Sequence, residues 1–598
     1  MTSEMSGDDS VAGASWRTRV VRIWLAMAVL FLILSAPDIY ALHFPDPDDA
    51  LRLAQVRDLL AGQGWFDLHQ YRIDPQHGGV LMHWSRIVDA PLAGMILLLT
   101  PVFGQAVAEA ITMTVVPLMI CGAIVALVYR LAYRWLGERT AFYSIVALLL
   151  SVPVLQQVRP LRIDHHGWQI LATMVAVSAL FSRSARSGGL IAGTALAVGL
   201  SISLEGLPLA AALVGLTALR WLRRHEDRAW TLYTMLALGT VSPLLLLGTR
   251  GLSDLVLHCD IITPVHLAVF AWGAVTVAAL AAANPRSPIA LLAGFAAIGG
   301  GALAFLLGAA PQCAAGAFGQ LDPLTRELWY DRVHEGLPIW QQTLPGAFSI
   351  AVGALIGLQA AVRLAFKAPT PERREQWLEY ALVLGAAIAV SFLVARAGGV
   401  AGMLAAIPLG WQLQQWIAAA VAQRRKSRKA LAFASLMLVL VPSGPLSWAN
   451  AALPKPRTVE GQYQSLAKLG KGCSQDKMPR SVAALGTGRV LAPLDLGPEL
   501  VADSRMAVIA TGHHRGNAAM RAVISTFLGT TDAAHASVRQ MQADYVMLCP
   551  TQAEILNYRY LRPHGFASDL ATGRAPAWLE PVRLPGKPTR FKVWRVVS

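Results

Sequence analysis

Apolar stretches of membrane-crossing length alternate along the chain with polar gaps, and arginine and lysine cluster at every second gap. A crossing helix needs roughly 20 predominantly apolar residues. Cytoplasmic loops of membrane proteins carry an excess of Lys and Arg, so the seven clusters set both the number of crossings and their direction. Arg17, Arg19 and Arg22 precede the first apolar run, about 21–42, which places residues 1–20 inside. The pattern then predicts crossings at about 106–129, 140–156, 168–182, 189–204, 207–220, 229–248, 264–283, 288–309, 346–364, 378–395, 399–420 and 430–449. That makes thirteen spans, with an inside start and an outside finish. The apolar piece 90–103 is expected to lie along the membrane surface, because a crossing there would put Arg130, Arg134 and Arg139 outside. The outer loops that matter are 43–104, 157–167 and 310–345.

The pattern changes after residue 449. The tail, 450–598, has polar turns, prolines and strand-length apolar runs at Arg489–Ala492, Met506–Ala510 and Tyr545–Leu548. Helix-length stretches separate them, which predicts a small α/β domain on the outer side. Cys473 and Cys549 both fall in this tail, and in an oxidising compartment they either pair or stay as buried thiols. Cys259 and Cys313 share the same side and form a second candidate pair.

Composition agrees with the membrane reading. The 598 residues are 55% hydrophobic and only 15% charged, and mean hydropathy is +0.47. Soluble domains carry about 25% charged residues. The net charge of +15 would suggest nucleic acid in a soluble protein, but here the cations sit in short inner loops and serve topology. No nucleic-acid partner is therefore expected.

Putting the outer loops together gathers the candidate chemistry on one face. The first opens with Phe44-Pro45-Asp46-Pro47-Asp48-Asp49, three carboxylates within four residues. Acids so close repel one another unless a cation neutralises them. They read either as hard oxygen ligands for a divalent metal or as the acidic N-cap of a helix starting near Ala50. The same loop carries His83-Trp84-Ser85-Arg86, where Arg86 is a candidate phosphate contact. The second loop reads Arg162-Ile163-Asp164-His165-His166-Gly167, an acid and two imidazoles with ligand and proton-shuttle capacity. The third contributes Val333-His334-Glu335. Arg396 stands at the outer end of the eleventh span, where an arginine is costly and matches a lipid phosphate. Glu205, near the end of the fifth span, ranks below these. In the tail, Gly512-His513-His514-Arg515-Gly516-Asn517 follows a predicted strand, a common ligand position in α/β sheets, and Asp495 follows the strand before it.

These motifs resemble those of GT-C fold glycosyltransferases, and most closely the catalytic subunit of archaeal and bacterial oligosaccharyltransferases. Asp46-Pro47 and Asp48-Asp49 resemble the family's first-loop metal-binding acid. Asp164-His165-His166 matches the Asp-His-His of archaeal members. Glu335 fits the acid of the family's fifth outer loop, and Arg396 fits the arginine beside the lipid-linked pyrophosphate. Two departures stand out. The Trp-Trp-Asp-Tyr-Gly motif that reads the glycosylation sequon is absent from the tail, and Arg332 stands where the loop-five motif has Thr or Ser.

The resemblance implies a polytopic α-helical membrane protein of GT-C type with a small C-terminal α/β extracytoplasmic domain, in the inner membrane of a two-membrane bacterium. It implies transfer of a sugar or oligosaccharide from a polyprenyl-(pyro)phosphate donor to a glycan, lipid or protein acceptor. A divalent cation, Mg²⁺ or Mn²⁺, would be held by Asp48, Asp164, His165 and Glu335. One of Asp46, Asp48 and Asp49 would activate the acceptor. Arg396 and Arg86 would hold the lipid phosphate, and His166, His513, His514 and Arg515 would be accessory. The alternative is a polytopic transporter or lipid flippase, against which the polar residues cluster at one face rather than at the midplane.

Overall fold

The computed structural model describes residues 8–441, 443–452, 480–585 and 589–597. Its helices begin where the sequence supplies caps. Asp46 caps the helix Pro47–Leu60, Thr263 caps Pro264–Ala283, Ser287 caps Pro288–Ala309 and Thr370 caps Pro371–Leu393. In each, proline follows at the first turn, where its missing N–H costs nothing and its fixed φ suits the helix.

Among the described residues, ten helices are long and apolar enough to cross a membrane, or eleven if one bent pair is a single span. The difference from the thirteen predicted stretches is local. The predicted crossing 140–156 is the bent pair, Glu138–Leu149 and Val152–Val158, with 77° between its halves. The predicted crossing 168–182 is the shorter helix His166–Leu180. The helix Gly398–Val421 has the length, but Gln412, Gln414 and Gln415 lower its hydropathy. The predicted crossing 430–449 divides into Lys426–Leu440 and Ser443–Ala452. Arg86–Phe103, predicted to lie on the surface, has the length and hydropathy of a span.

The chain forms two units. The first comprises residues 1–42, 84–319 and 334–452. Its helices pack through small residues, as membrane helices do where no hydrophobic drive separates lipid from protein. The helix Ala185–Ile202 lies along Arg228–Thr249. A Cβ on Gly189 would meet Tyr233 Cβ at 2.9 Å, and one on Gly193 would strike the Thr234 carbonyl. Arg220 and Glu379 form a buried pair at 2.7 Å and 3.0 Å, and Arg220 also donates to the Leu180 carbonyl at 2.7 Å. Cys259 and Cys313 are disulfide-bonded, closing the pair of helices Pro264–Ala283 and Pro288–Ala309 at one end.

The second unit comprises residues 43–83, 320–333 and 453–598. In the first segment β1 (His69–Gln70) pairs antiparallel with β2 (Val80–Leu81). The tail holds a five-stranded sheet built from β3 (Arg489–Leu491), β4 (Ala507–Val508), β5 (Tyr545–Leu548), β6 (Leu579–Val582) and β7 (Lys592–Val596). The spatial order is β4-β3-β5-β7-β6. β3 runs parallel to β4 and β5, while β7 is antiparallel to β5 and β6. The three predicted strands are the parallel ones, with helices between them.

The first-loop segment belongs to this sheet. Ile73 bridges Val508 in parallel, with Val508 N donating to Arg72 O at 2.8 Å and Asp74 N donating to Val508 O at 2.9 Å. Arg57 and Arg72 donate to the carbonyls of Ala502 and Val501, both at 2.5 Å, at the end of the helix Gly497–Asp503. Cations there satisfy carbonyls that no helical N–H can reach. Leu328, from the segment 320–333, joins the tail's core with Leu491, Val523, Phe527 and Val546. Cys549 is disulfide-bonded. Cys473, its predicted partner, lies outside the described residues.

A bulky residue at the helix contact should break it. Gly193→Leu is expected to destabilise the first unit by about 1–3 kcal/mol, the usual cost of overpacking. A lower thermal midpoint in detergent, with Gly199→Leu as the looser control, would check this.

Candidate active site

The second predicted loop is a short turn between the helices Val152–Val158 and His166–Leu180. Leu161 holds a positive φ of 68° there, and its N–H donates to Met113 O at 2.9 Å. A leucine in that region is strained and persists only where its surroundings hold it. The turn points Arg162, Asp164, His165 and His166 into a buried cluster.

Asp164 does three things at once. Its Oδ1 accepts from His166 N, the first N–H of the helix, at 3.0 Å. Its Oδ2 lies 2.6 Å from His166 Nδ1 and 2.8 Å from an Arg162 nitrogen. Burial pushes the Asp164 carboxyl up, but the Arg162 guanidinium and the two histidines outweigh it and hold the group well below the usual carboxylate range. Asp164 is therefore an anion. The His165 and His166 rings stack at 4.1 Å. His166 is bonded through Nδ1, and among the described residues its buried Nε2 has no hydrogen-bond partner.

From Arg162 a line of alternating charge continues. Arg162 lies 3.6 Å from Glu335, Glu335 lies 3.5 Å from Arg396, and Arg396 lies 3.3 Å from Glu205. The turn carrying Glu335 is pinned to the turn carrying Arg396, because Ala395 N donates to Leu337 O at 3.1 Å. The structure thus joins Asp164, Glu335 and Arg396 through Arg162, a residue the sequence reading quoted without selecting. It also gives Glu205, ranked low from sequence, a place at the end of the line.

Arg86 is fully enclosed and pairs with Asp89 at 3.1 Å within the first turn of its helix. Nearby in the first unit, Arg250 pairs with Asp254 and donates to the Trp84 carbonyl at 3.1 Å. This buried pair was not among the candidates the sequence offered. Its signal was an (i, i+4) Arg–Asp spacing just beyond an apolar helix.

The first-loop acids lie in the second unit. Asp46 is the N-cap, its Oδ1 accepting from Asp48 N at 3.0 Å. Asp48 and Asp49 occupy the first turn, where the helix dipole favours anions. Asp49 is fully buried and Asp46 and Asp48 are half-buried. The helix begins at Pro47, three residues before the predicted Ala50.

Asp46 also faces Asp495, which follows β3. Crowding by the surrounding protein and then the Asp46 charge push the Asp495 carboxyl up, toward about 6, and because the residue is exposed the water there limits that shift. Glu554 accepts from Leu494 N at 3.0 Å and Asp495 N at 3.2 Å. Desolvation, then Asp495, push it up to about 7.

The tail histidines take a defined place. The loop after β4 carries His513 and His514 beside His83, which follows β2. His83 Nδ1 and His513 Nε2 are 2.8 Å apart. Arg515 donates to the Leu81 carbonyl at 3.4 Å.

Two groups of ligand-type side chains thus stand out among the described residues. Asp164, His165 and His166 form one, all buried, and His83, His513 and His514 form the other.

No family model matches the chain, and no curated protein matches it by sequence. Solved structures do match. The archaeal oligosaccharyltransferase AglB from Archaeoglobus fulgidus, in complex with an inhibitory peptide and a dolichol-phosphate, superposes with a TM-score of 0.63 at 14% identity, over 94% of this chain and 73% of that one. The same enzyme tethered to an acceptor peptide containing the NVT sequon gives 0.61 at 15% identity, over 96% and 74%. Its complex with Zn and sulfate gives 0.56 at 13% identity, over 96% and 73%.

A raised acid must show in stability. A carboxyl raised in the folded state stabilises most below its unfolded value near 3.8 and loses that contribution as pH rises through about 6. The thermal midpoint of the wild type relative to Asp495→Asn is expected to fall over that window, measured by tryptophan fluorescence; a flat difference would contradict it. On the likeness in fold and its helical membrane character, the chain is a polytopic membrane protein with the GT-C fold of the oligosaccharyltransferases and a small α/β region.

Proposed function

We propose that the chain is an inverting glycosyltransferase that takes a sugar or oligosaccharide from a polyprenyl phosphate or pyrophosphate and passes it to a glycan, lipid or protein acceptor. The observation that carries this reading is the line Asp164–Arg162–Glu335–Arg396–Glu205 in a chain of this fold. The enzyme works at the outer face of the inner membrane, with its N-terminus cytoplasmic and its tail periplasmic.

A lipid phosphate leaves poorly unless its developing charge is met. Arg396 and Arg162 are fixed cations whose carboxylate partners hold their forks in place, so they meet that charge without reorganising. Glu335 stands between the two guanidiniums and sets their spacing. Arg86, enclosed and paired with Asp89, holds its own helix start. A base accepts the acceptor's proton as its oxygen or nitrogen attacks the anomeric carbon, a role that the family resemblance gives to an acid of the first loop. The bond from that carbon to the lipid phosphate oxygen breaks as the new one forms, and the charge departs with the lipid.

The Asp164–His165–His166 group fits a divalent cation. An imidazole bonded through Nδ1 to a carboxylate, with Nε2 unpartnered and buried, is the arrangement seen where histidine binds metal. Asp164 and Glu335 would supply the oxygen donors, and His165 and His166 the nitrogen donors. Such a cation, Mg²⁺ or Mn²⁺, would neutralise the leaving phosphate.

Purified protein in lipid should transfer label from a radiolabelled polyprenyl-phosphate sugar pool, and EDTA should stop it. Asp164→Asn and Arg396→Ala should each lower transfer by roughly 10²-fold or more, the usual loss when one such electrostatic contact goes. Wild-type rates in both variants would remove the assignment, and substrate movement without transfer would favour the transporter.

A further inference from the structure

We propose that His83, His513 and His514 form a second metal site, on the α/β unit, that takes one borderline-soft transition dication of the Zn²⁺ class. The three residues come from loops far apart in sequence. His83 ends the first-loop hairpin just after β2, and His513 and His514 lie in the turn after β4. The fold still brings one ring nitrogen of each within 4.8 Å of the other two. All three pairs of ring centroids are 5.0 Å apart.

The donor set decides the ion. It is three imidazoles with no carboxylate, so it selects nitrogen-seeking ions over Mg²⁺ or Ca²⁺, which want hard oxygens. Four-coordinate zinc takes imidazole nitrogens at about 2.0–2.1 Å, which sets them roughly 3.3 Å from one another. His83 and His513 are already at 2.8 Å. Closing the site needs those two nitrogens to part by roughly 0.5 Å and a nitrogen of His514, which is half-buried while His513 is buried, to approach them.

The surroundings hold the loop in readiness. Gly512 lies against the Trp329 indole so tightly that a Cβ there would sit 2.7 Å from its nitrogen. Gly516 N donates to His513 O at 2.8 Å, and Arg515 reaches the Leu81 carbonyl two residues before His83. Three protein ligands leave a fourth position for water or an oxygen of the acceptor. A bound ion would staple the first-loop hairpin to the tail. Its donor set differs from the Asp164 group, and metal binding there is independent of sugar transfer.

The test uses the full chain in detergent, stripped with chelator and dialysed against Zn²⁺ alone. His166→Gln serves as the background, so that the Asp164 group does not contribute. This variant is expected to keep one zinc per chain by elemental analysis, and its thermal midpoint should rise by at least roughly 2 °C on adding Zn²⁺. Adding His514→Gln should remove both the zinc and the rise, and His83→Gln should do the same. Replacing zinc with Co²⁺ should give the visible absorption of a tetrahedral nitrogen site, absent from either double variant. That readout needs no stability comparison, and a size-exclusion profile matching the background variant shows that the double variant is folded. Zinc retained by both double variants, or never bound by the background variant, would overturn the proposal.

Discussion

Buried charge must be compensated, and the first unit is arranged around that requirement. Asp164 is held as an anion among protein atoms, which is tolerable only because Arg162 and the histidines answer it. Arg162 in turn needs Glu335, and Arg396 needs Glu335 and Glu205. Removing Arg162 leaves the buried Asp164 with much of its charge unanswered, so the members of the line depend on one another. It fixes where four loops must come, and the strained Leu161 and the Leu337–Ala395 hydrogen bond are the backbone consequences. A reacting phosphate group entering this array would find its counter-charges already oriented.

The second unit depends on backbone groups. Arg57 and Arg72 bind the last carbonyls of one short helix, and the strand-like residues 72–74 extend the sheet beyond β4. The first loop is thus part of the tail's architecture. That explains why it is long and polar yet ordered, and why the acids of Asp46–Asp49 sit at a rigid helix start rather than on a free loop.

Much of this was legible in the sequence. Apolar length and arginine spacing gave the helices, because both follow from the bilayer. The tail's three parallel strands were legible as short β-rich runs. What the sequence concealed was pairing at a distance. Nothing in the motif around Arg162 announces Glu335 as its neighbour, and nothing in His83 announces His513. The sequence read Asp46–Asp49 as either ligands or a cap, and the backbone shows that Asp46 is the cap. The strands β6 and β7 were missed because Glu580 and Pro581 break the apolar run of one, and Lys592 and Arg595 that of the other.

The α/β unit is assembled from three separated stretches of chain, and this imposes a rule on how the rest is threaded. A folded body of this kind stands in one compartment, so its stretches 43–83, 320–333 and 453–598 must all emerge there. The chain must therefore cross the bilayer an even number of times between the first and second, and again between the second and third. Between 83 and 320 that parity ties Arg86–Phe103, the bent pair and His166–Leu180 together, so that whether one of them crosses depends on the other two. The unit thus acts as a parity check on insertion: a protein threaded with one crossing too many would strand a segment of its own sheet on the wrong side.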